Sequence, residues 1–529
     1  MATEHFNIDF ILVEILVIVS IVSILVRRIK MPYTLGLILT GLGILVFNIQ
    51  IGIELDPELI LTLFLPALLF EGAMNIDVNV LKKNIKSITL LSLVGTFLTT
   101  IIIGFVLRLF IKMPLSISLL FASMIAPTDP IAVIGIFKEL GVGKSLSVLI
   151  EGESLFNDGV AIVLFRIIIA LIATGTLSVI DGISQFFRLF FGGLVLGFII
   201  GYLVSRLVRK INDTLIQLTI TTILAYGSYL LAESLHLSGV VATVTAGLVM
   251  GGYGLNFLSS STKLSIASFW EYFGFLLNSI VFLLIGAKID VGELIEFKWL
   301  IMIGFAIVII ARAISIYGIS FFINKIDDAG FITGEDEIIS SKSQHVLVWG
   351  GIHGGLSMVL LLSLDLHETP ALEPHFGMLH ALIFGVVFMS LLFQGSTMAF
   401  LLKKLGLGAK KDANIDYQRL ISKLIMKTAA VEEIEDLYKS KIITRSIYRE
   451  QKKYFTQERE KYELRISELL KEDNEIQIAQ EHEVKKAVLI AKKHSLVESL
   501  KKGIITEKVF HEFKGEIDDK LVELSKNEH

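Results

Sequence analysis

The sequence predicts an all-α polytopic membrane protein, with about thirteen transmembrane helices followed by a helical cytoplasmic tail. Three observations carry that prediction. The 529 residues are 53% hydrophobic and only 19% charged, with a mean hydropathy of +0.71, whereas soluble domains carry about 25% charged residues. Apolar runs of roughly 17 to 25 residues recur through the first three quarters of the chain, each long enough to cross a bilayer as a helix. Charge then rises abruptly: residues 404–529 hold 26 Lys/Arg and 24 Asp/Glu, about half of the chain's 48 and 52. This shift separates a membrane domain, 1–403, from a cytoplasmic helical regulatory domain, 404–529.

The runs fall near 9–27, 33–49, 56–74, 86–110, 115–137, 146–174, 183–208, 214–235, 238–252, 266–287, 299–324, 344–365 and 377–403. Met1 to Asp9 lacks the basic segment of a signal peptide, so the first run is expected to be retained as a span. Basic residues test the order, because they concentrate in cytoplasmic loops. They follow the odd-numbered spans: Arg27, Arg28 and Lys30; Lys82, Lys83 and Lys86; Lys138 and Lys144; Arg206, Arg209 and Lys210. Lys263, then Lys325 and Lys342, then Lys403, Lys404, Lys410 and Lys411 continue the series. The alternate connections near 50, 176, 236 and 370 carry none, and the exceptions (Arg108, Lys112, Lys288, Lys298) are fewer. An amino terminus outside, a carboxyl terminus in the cytoplasm and an odd number of spans follow. The protein is expected in the cell membrane.

Span five carries Ala126-Pro127-Thr128-Asp129-Pro130 at its middle. Each proline lacks a backbone donor and clashes with a continuous helix. Irregular backbone at membrane depth persists only when buried in protein or lining a watery cavity. Span six runs straight through charge: Glu151, Glu153, Ser154, Asn157 and Asp158. Intramembrane carboxylates are costly and mark functional sites. In a helix, Glu153 and Asn157 share one face, as do Ser154 and Asp158. The stripe offers hard oxygen donors, which suit an alkali cation or a proton rather than a soft metal.

Span eleven holds Arg312, which must find a carboxylate or face water. Asp129 and Glu153 are equal candidates. Span twelve contains Trp349-Gly350-Gly351-Ile352-His353-Gly354-Gly355, whose four glycines predict a break or a close backbone crossing. The breaks fall in spans five and twelve, seven apart, as duplicated halves would place them; such paired interruptions point to a transporter's substrate site. Glu71, ending span three, either lines the cytoplasmic funnel or caps its helix. Glu14 and Gln394 are expected to make interhelical hydrogen bonds. His345, His353, His367, His375 and His380 crowd one region, and His353 and Glu71 are the candidate pH-modulating groups.

The tail alternates charged and apolar residues at helical spacing. Leu420 to Lys441, Ile443 to Leu470, Glu483 to Leu500 and Thr506 to Leu524 read as amphipathic helices, a regulatory or dimerisation module that could answer to a cytosolic regulator.

With these residues assembled, the chain resembles the monovalent cation/proton antiporters, in the bacterial branch related to animal sodium/hydrogen exchangers. The markers are Leu65 to Asp77, Ala126 to Pro130, Glu151 to Asp158, Arg312 with Asn324-Lys325, and Trp349 to Ser357, with Phe156-Asn157-Asp158-Gly159 the most specific. The resemblance implies thirteen helices in two inverted repeats, a dimerisation domain, and a six-helix transport domain in which spans five and twelve cross unwound. It implies a homodimer. It assigns Asp158 as the cation and proton carboxylate, Asn157 as its neighbour, and Glu153, Ser154 and Thr128 as supporting ligands of Na⁺. Asp129 and Arg312 would hold the unwound region by ion pairing. Many relatives carry arginine where His353 stands, so that contact is lost or pH-dependent here. An Asn-Asp pair, in place of the Asp-Asp of the other large branch, implies one proton per cation.

The function expected is therefore exchange of Na⁺ or Li⁺ for H⁺, electroneutral and by alternating access, with K⁺/H⁺ exchange as the alternative and a cation channel or sensor as a remote one. No Gly-x-x-x-x-Gly-Lys-Ser/Thr loop points to ATP, and neither a His-Glu-x-x-His nor a Gly-x-Gly-Asp motif points to an intramembrane protease, so no enzyme is expected. No cofactor is expected beyond the transported ions. The absence of cysteine excludes disulfides and thiolate sites, and a net charge of −4 gives no nucleic-acid signature.

Overall fold

Prolines, glycines and polar caps set many of the helix boundaries in the computed structural model. It describes residues 2–29, 31–47, 60–175, 179–211, 213–328, 339–367, 369–407 and 413–472, with scattered positions beyond. The described residues contain no strand. The chain divides into two compact units, Met1–Gly408 and Ala409–His529.

In the first unit the helices are α1 (Ala2–Ile29), α2 (Tyr33–Val46), α3 (Leu65–Asn75) and α4 (Ile85–Ile111). Next come α5 (Leu115–Ile125) and α6 (Ile131–Leu140), which are the two halves of span five, then α7 (Lys144–Thr174) and α8 (Val179–Val208). They are followed by α9 (Thr214–Ser234), α10 (Gly239–Val249), α11 (Ser260–Ala287) and α12 (Lys298–Asp328). Span twelve is divided into α13 (Ser341–Trp349) and α14 (Gly355–Leu362), and α15 (Pro370–Leu405) closes the unit. Every predicted run thus carries helix. Among the described residues, seven helices are long and apolar enough to cross a membrane on length and composition alone. The broken spans fall short because neither half of five or twelve is long enough by itself.

Local chemistry explains the boundaries. Asp213 caps α9 by accepting from the amides of Leu215 and Ile216 at 2.9 and 3.0 Å, and Ser238, Ser259 and Ser340 cap α10, α11 and α13 in the same way. Gly141, Gly175 and Gly406 end α6, α7 and α15 with positive φ, the left-handed geometry that glycine adopts without a Cβ penalty.

The helices sort into two packed sets. Helices α4 to α7 and α12 to α15 pack chiefly with one another, as do α1 to α3 and α8 to α11. Within the second set, α2 and α11 approach through Gly41 and Gly286, where an added Cβ would strike backbone of the opposite helix. Along α8, Phe187, Phe191, Val195, Phe198 and Leu203 are exposed, as expected of a face against lipid rather than water.

The second unit contains an antiparallel hairpin of α16 (Ala413–Lys439) and α17 (Arg445–Glu472). Tyr438 stacks on Tyr448 with centroids 4.2 Å apart, and the Lys452 Nζ donates to Glu435 at 2.7 Å. The Lys452 ammonium holds the Glu435 carboxyl below its ordinary range. The two later tail helices expected from sequence lie largely outside the described residues.

Candidate functional site at the crossing of two broken helices

The two interruptions meet. Backbone N–H of Asp129, in the α5–α6 break, donates to the carbonyl of Ile352 in the α13–α14 break at 2.6 Å. The His353 Nδ1 lies 3.2 Å from the Pro127 carbonyl, and the His353 amide donates to Ser390 Oγ at 3.2 Å. The Asp129 and His353 amides and the Ile352 and Pro127 carbonyls, all in the breaks, thus find partners at the crossing, as groups buried away from water must.

Helix α7 runs beside this crossing and supplies the polar stripe. The Ser154 hydroxyl donates to the Thr128 carbonyl. Asn157 Nδ2 donates to Thr128 Oγ1 at 2.9 Å and to Glu153 Oε1 at 3.1 Å, and its Oδ1 accepts from the Thr128 amide at 3.4 Å. Asn157 thus ties the first break to the stripe. Ser154, Asn157 and Thr128 are all buried.

Arg312 resolves the choice that the sequence leaves open. Its guanidinium forks onto Glu153, with NH1 3.3 Å from Oε1 and NH2 2.9 Å from Oε2. Nε donates to the carbonyl of Leu347 at 3.2 Å, in the last turn of α13, where carbonyls lack helical partners. Gln394 Nε2 donates to the Trp349 carbonyl at 3.1 Å at the same helix end. Arg312 therefore joins α7, α12 and the broken span. Gly351 and Gly354 are required by this packing, because a Cβ would run into the Arg312 guanidinium and the Asp129 side chain respectively.

Asp129 and Glu153 have these partners. Asp129 is not the partner of Arg312: its Oδ1 accepts from the Ile131 amide at 2.9 Å, capping α6 at its positive end. Glu153, expected among the Na⁺ ligands, gives both carboxylate oxygens to Arg312 and Asn157. The physical reason is reach, since α12 places the guanidinium against α7 and not against the start of α6.

Asp158 differs from these. Among the described residues it is the one carboxylate with a buried oxygen, Oδ1, that accepts no hydrogen bond from the protein. Its charged neighbours are Asp129 and Glu153, and no cation pairs with it among the described residues. Glu71 stands apart on α3. It accepts from Asn75 at 2.7 Å, packs against Gly274 of α11, and has Glu271, Lys138 and Glu151 as charged neighbours.

The histidines disperse. His345 bonds Tyr317 at 2.6 Å, His353 is buried in the crossing, and His380 meets Glu293 at 2.7 Å. These three lie on α13, in the break and on α15, each with a different partner. Sequence reasoning missed Ser390, whose signal was its four-residue spacing from Gln394 on one face of an apolar run. Gln394 makes the interhelical bond expected of it, whereas Glu14 is exposed on α1.

Residues 15–404 match the family model described as sodium/hydrogen exchanger, transmembrane. The chain belongs to the sodium/hydrogen exchanger family. It is similar to the Na(+)/H(+) antiporter ApNhaP of Aphanothece halophytica, 40% identical over 407 residues that cover 77% of this chain and 75% of that one. It is 31% identical to the Na(+)/H(+) antiporter NhaG of Bacillus atrophaeus, over 97% of each chain. In fold it is similar to the sodium proton antiporter MjNhaP1 of Methanocaldococcus jannaschii, with a TM-score of 0.63 and 22% identity, covering 77% of this chain and 99% of that one. This member of the exchanger family is thus a multi-pass membrane protein.

Proposed function

We propose that the chain exchanges Na⁺ for H⁺ across the membrane, electroneutrally and by alternating access, with Asp158 holding one ion or the other in turn. The observation that carries this reading is the free Asp158 oxygen, placed beside a crossing whose other carboxylates are already occupied. Asp158 is half-buried, yet its Oδ1 lies inside the protein with no hydrogen-bond donor, and a bare carboxylate so placed is costly. A proton or a small cation removes that cost, and the two cannot do so together. The names of ApNhaP and NhaG support sodium as the cargo.

For the cation, Asp158 would be joined by oxygens of Thr128, Ser154 and Asn157, a hard donor set. Glu153 and Arg312 stay paired and hold the crossing rigid while either ion occupies the site. With Glu153 balanced by Arg312 and Asn157 neutral, Asp158 alone trades one charge for one charge. Neutralising it lets the α4–α7 and α12–α15 set move against the α1–α3 and α8–α11 set, which exposes the site to each side in turn. The second set would anchor a homodimer. The amino terminus lies outside, and the tail lies in the cytoplasm, where a regulator could reach it.

Proteoliposomes loaded with acid and pulsed with Na⁺ test the assignment. The wild-type protein should raise internal pH, and Asp158→Asn should not. Wild-type rates in Asp158→Asn would remove Asp158 from the ion path. A rate that follows an imposed membrane potential would contradict electroneutral exchange, and a response to K⁺ larger than to Na⁺ or Li⁺ would reassign the cargo.

A further inference from the structure

Arg166 has no part in the site above, yet it lies on the same membrane helix as Asp158. It lies eight residues further along α7, roughly 12 Å away at 1.5 Å per residue. Its NH2 contacts both carboxylate oxygens of Glu233, on α9, at 2.9 Å each. Glu233 Oε1 also accepts from the Gly239 amide at 2.9 Å, the first residue of α10. A Cβ at Gly239 would meet that oxygen and the Tyr229 ring. One ion pair thus fastens α7 to the elbow between α9 and α10, and so joins the two packed sets of helices.

What lies between Asp158 and this pair matters as much. Val160, Val163 and Leu164 of α7 form a buried cluster with Phe186, Leu189 and Phe190 of α8 and Val241 of α10. Gly159 packs against Val241. From Asp158 towards the end of α7 the order is therefore carboxylate, dry apolar layer, ion pair. An apolar layer excludes water and hydrated ions, and it parts only if the helices on its two sides separate. The ion pair is a polar bond that resists that separation on the far side of the layer from Asp158, and its side chains are 35% and 29% exposed, so water can take over its hydrogen bonds once it opens.

We propose that Arg166 and Glu233 are positioning residues that latch the outer gate of the transport path, and that the pair must part for Asp158 to face outward. This rests on the alternating-access reading above, in which α7 moves against α8 to α10. Asp158 itself is untouched by the latch, so the pair sets how often the site opens outward and leaves its ion chemistry intact.

The chain contains no cysteine, so single cysteines can be read without background. Val163→Cys, in the apolar layer, is labelled in right-side-out vesicles by a membrane-impermeant charged thiosulfonate. In the intact pair labelling should be slow. Arg166→Gln and Glu233→Gln should each speed it, about two- to fivefold for a partly exposed pair, whereas Arg166→Lys and the double exchange Arg166→Glu/Glu233→Arg should return it towards the slow rate. In a separate chain carrying Arg166→Cys and Glu233→Cys, a reducible bifunctional thiol cross-linker should stop exchange, and reduction should restore it.

A pair that only supports folding would change yield and melting temperature without changing labelling from outside. Unchanged labelling in both glutamine variants, or full exchange with the cross-link in place, would overturn the latch. Labelling does not depend on which cation is carried, so loss of Na⁺ exchange in the parent protein would count against the functional reading and not against this one.

Discussion

Removing one member of the Glu153–Arg312 pair should be far worse than removing both. Glu153 is 3% exposed and Arg312 8%, and three guanidinium hydrogen bonds end on Glu153 and Leu347. Arg312→Met keeps much of the volume and deletes the charge, which leaves a buried carboxylate without its partner. Breaking a buried pair from one side costs about 3–5 kcal/mol, whereas replacing both members by apolar groups of similar volume is often neutral. At about 2.1 cal/mol/K per residue, the 408 residues of the membrane unit convert that loss into a fall of about 4–6 °C in melting temperature. Glu153→Leu/Arg312→Met should recover most of it, less about 1–2 kcal/mol for the Leu347 carbonyl left without a donor. The assay is thermal unfolding of detergent-purified protein, followed by the monodisperse fraction on gel filtration at one fixed heating rate. A single variant that melts within 1 °C of wild type, or a double variant no more stable than the single, would refute the reasoning.

Two further outcomes follow from the same geometry. Gly351→Ala should destabilise by about 1–3 kcal/mol, the usual cost of overpacking, because its Cβ meets the Arg312 guanidinium; the same thermal assay reads it, and an unchanged melting temperature would show that the crossing has room. In the tail, the Glu435 carboxyl is held low by Lys452, so the pair's stabilisation is complete above the ordinary carboxylate range and is lost as pH falls through the lowered value. The protection factors of the α16 and α17 amides in the full chain, with the intrinsic pH dependence of exchange divided out, should therefore be flat from pH 8 to 6 and fall in acid. Lys452→Ala should remove that contribution to the pH dependence, and an identical acid response in the variant would argue against it.

The polar stripe of α7 was legible because helical spacing is a local property: Glu153 with Asn157 and Ser154 with Asp158 share a face whatever surrounds them. Both helix breaks were legible for a similar reason, since proline removes a donor and clustered glycines mark a break or close crossing. Closeness of the histidines along the chain did not tell their partners, which come from other helices: Tyr317 for His345 and Glu293 for His380. Gln394 was recognisable as a bonding group, while Ser390 was hidden in an apolar run.

By itself, the sequence determined a helical membrane protein with two interrupted spans, a charged helix beside them and a distinct charged tail. These are properties of composition and of residues within a few turns of one another. Only the tertiary structure decided that Arg312 reaches Glu153, 159 residues away, that Asp129 caps α6 instead, and that Asp158 keeps an unpartnered oxygen. It also decided that Arg166 finds Glu233. Pairing between distant charges depends on which helices pack and at what height, and a carboxylate offers the same attraction to an arginine wherever it lies in the chain.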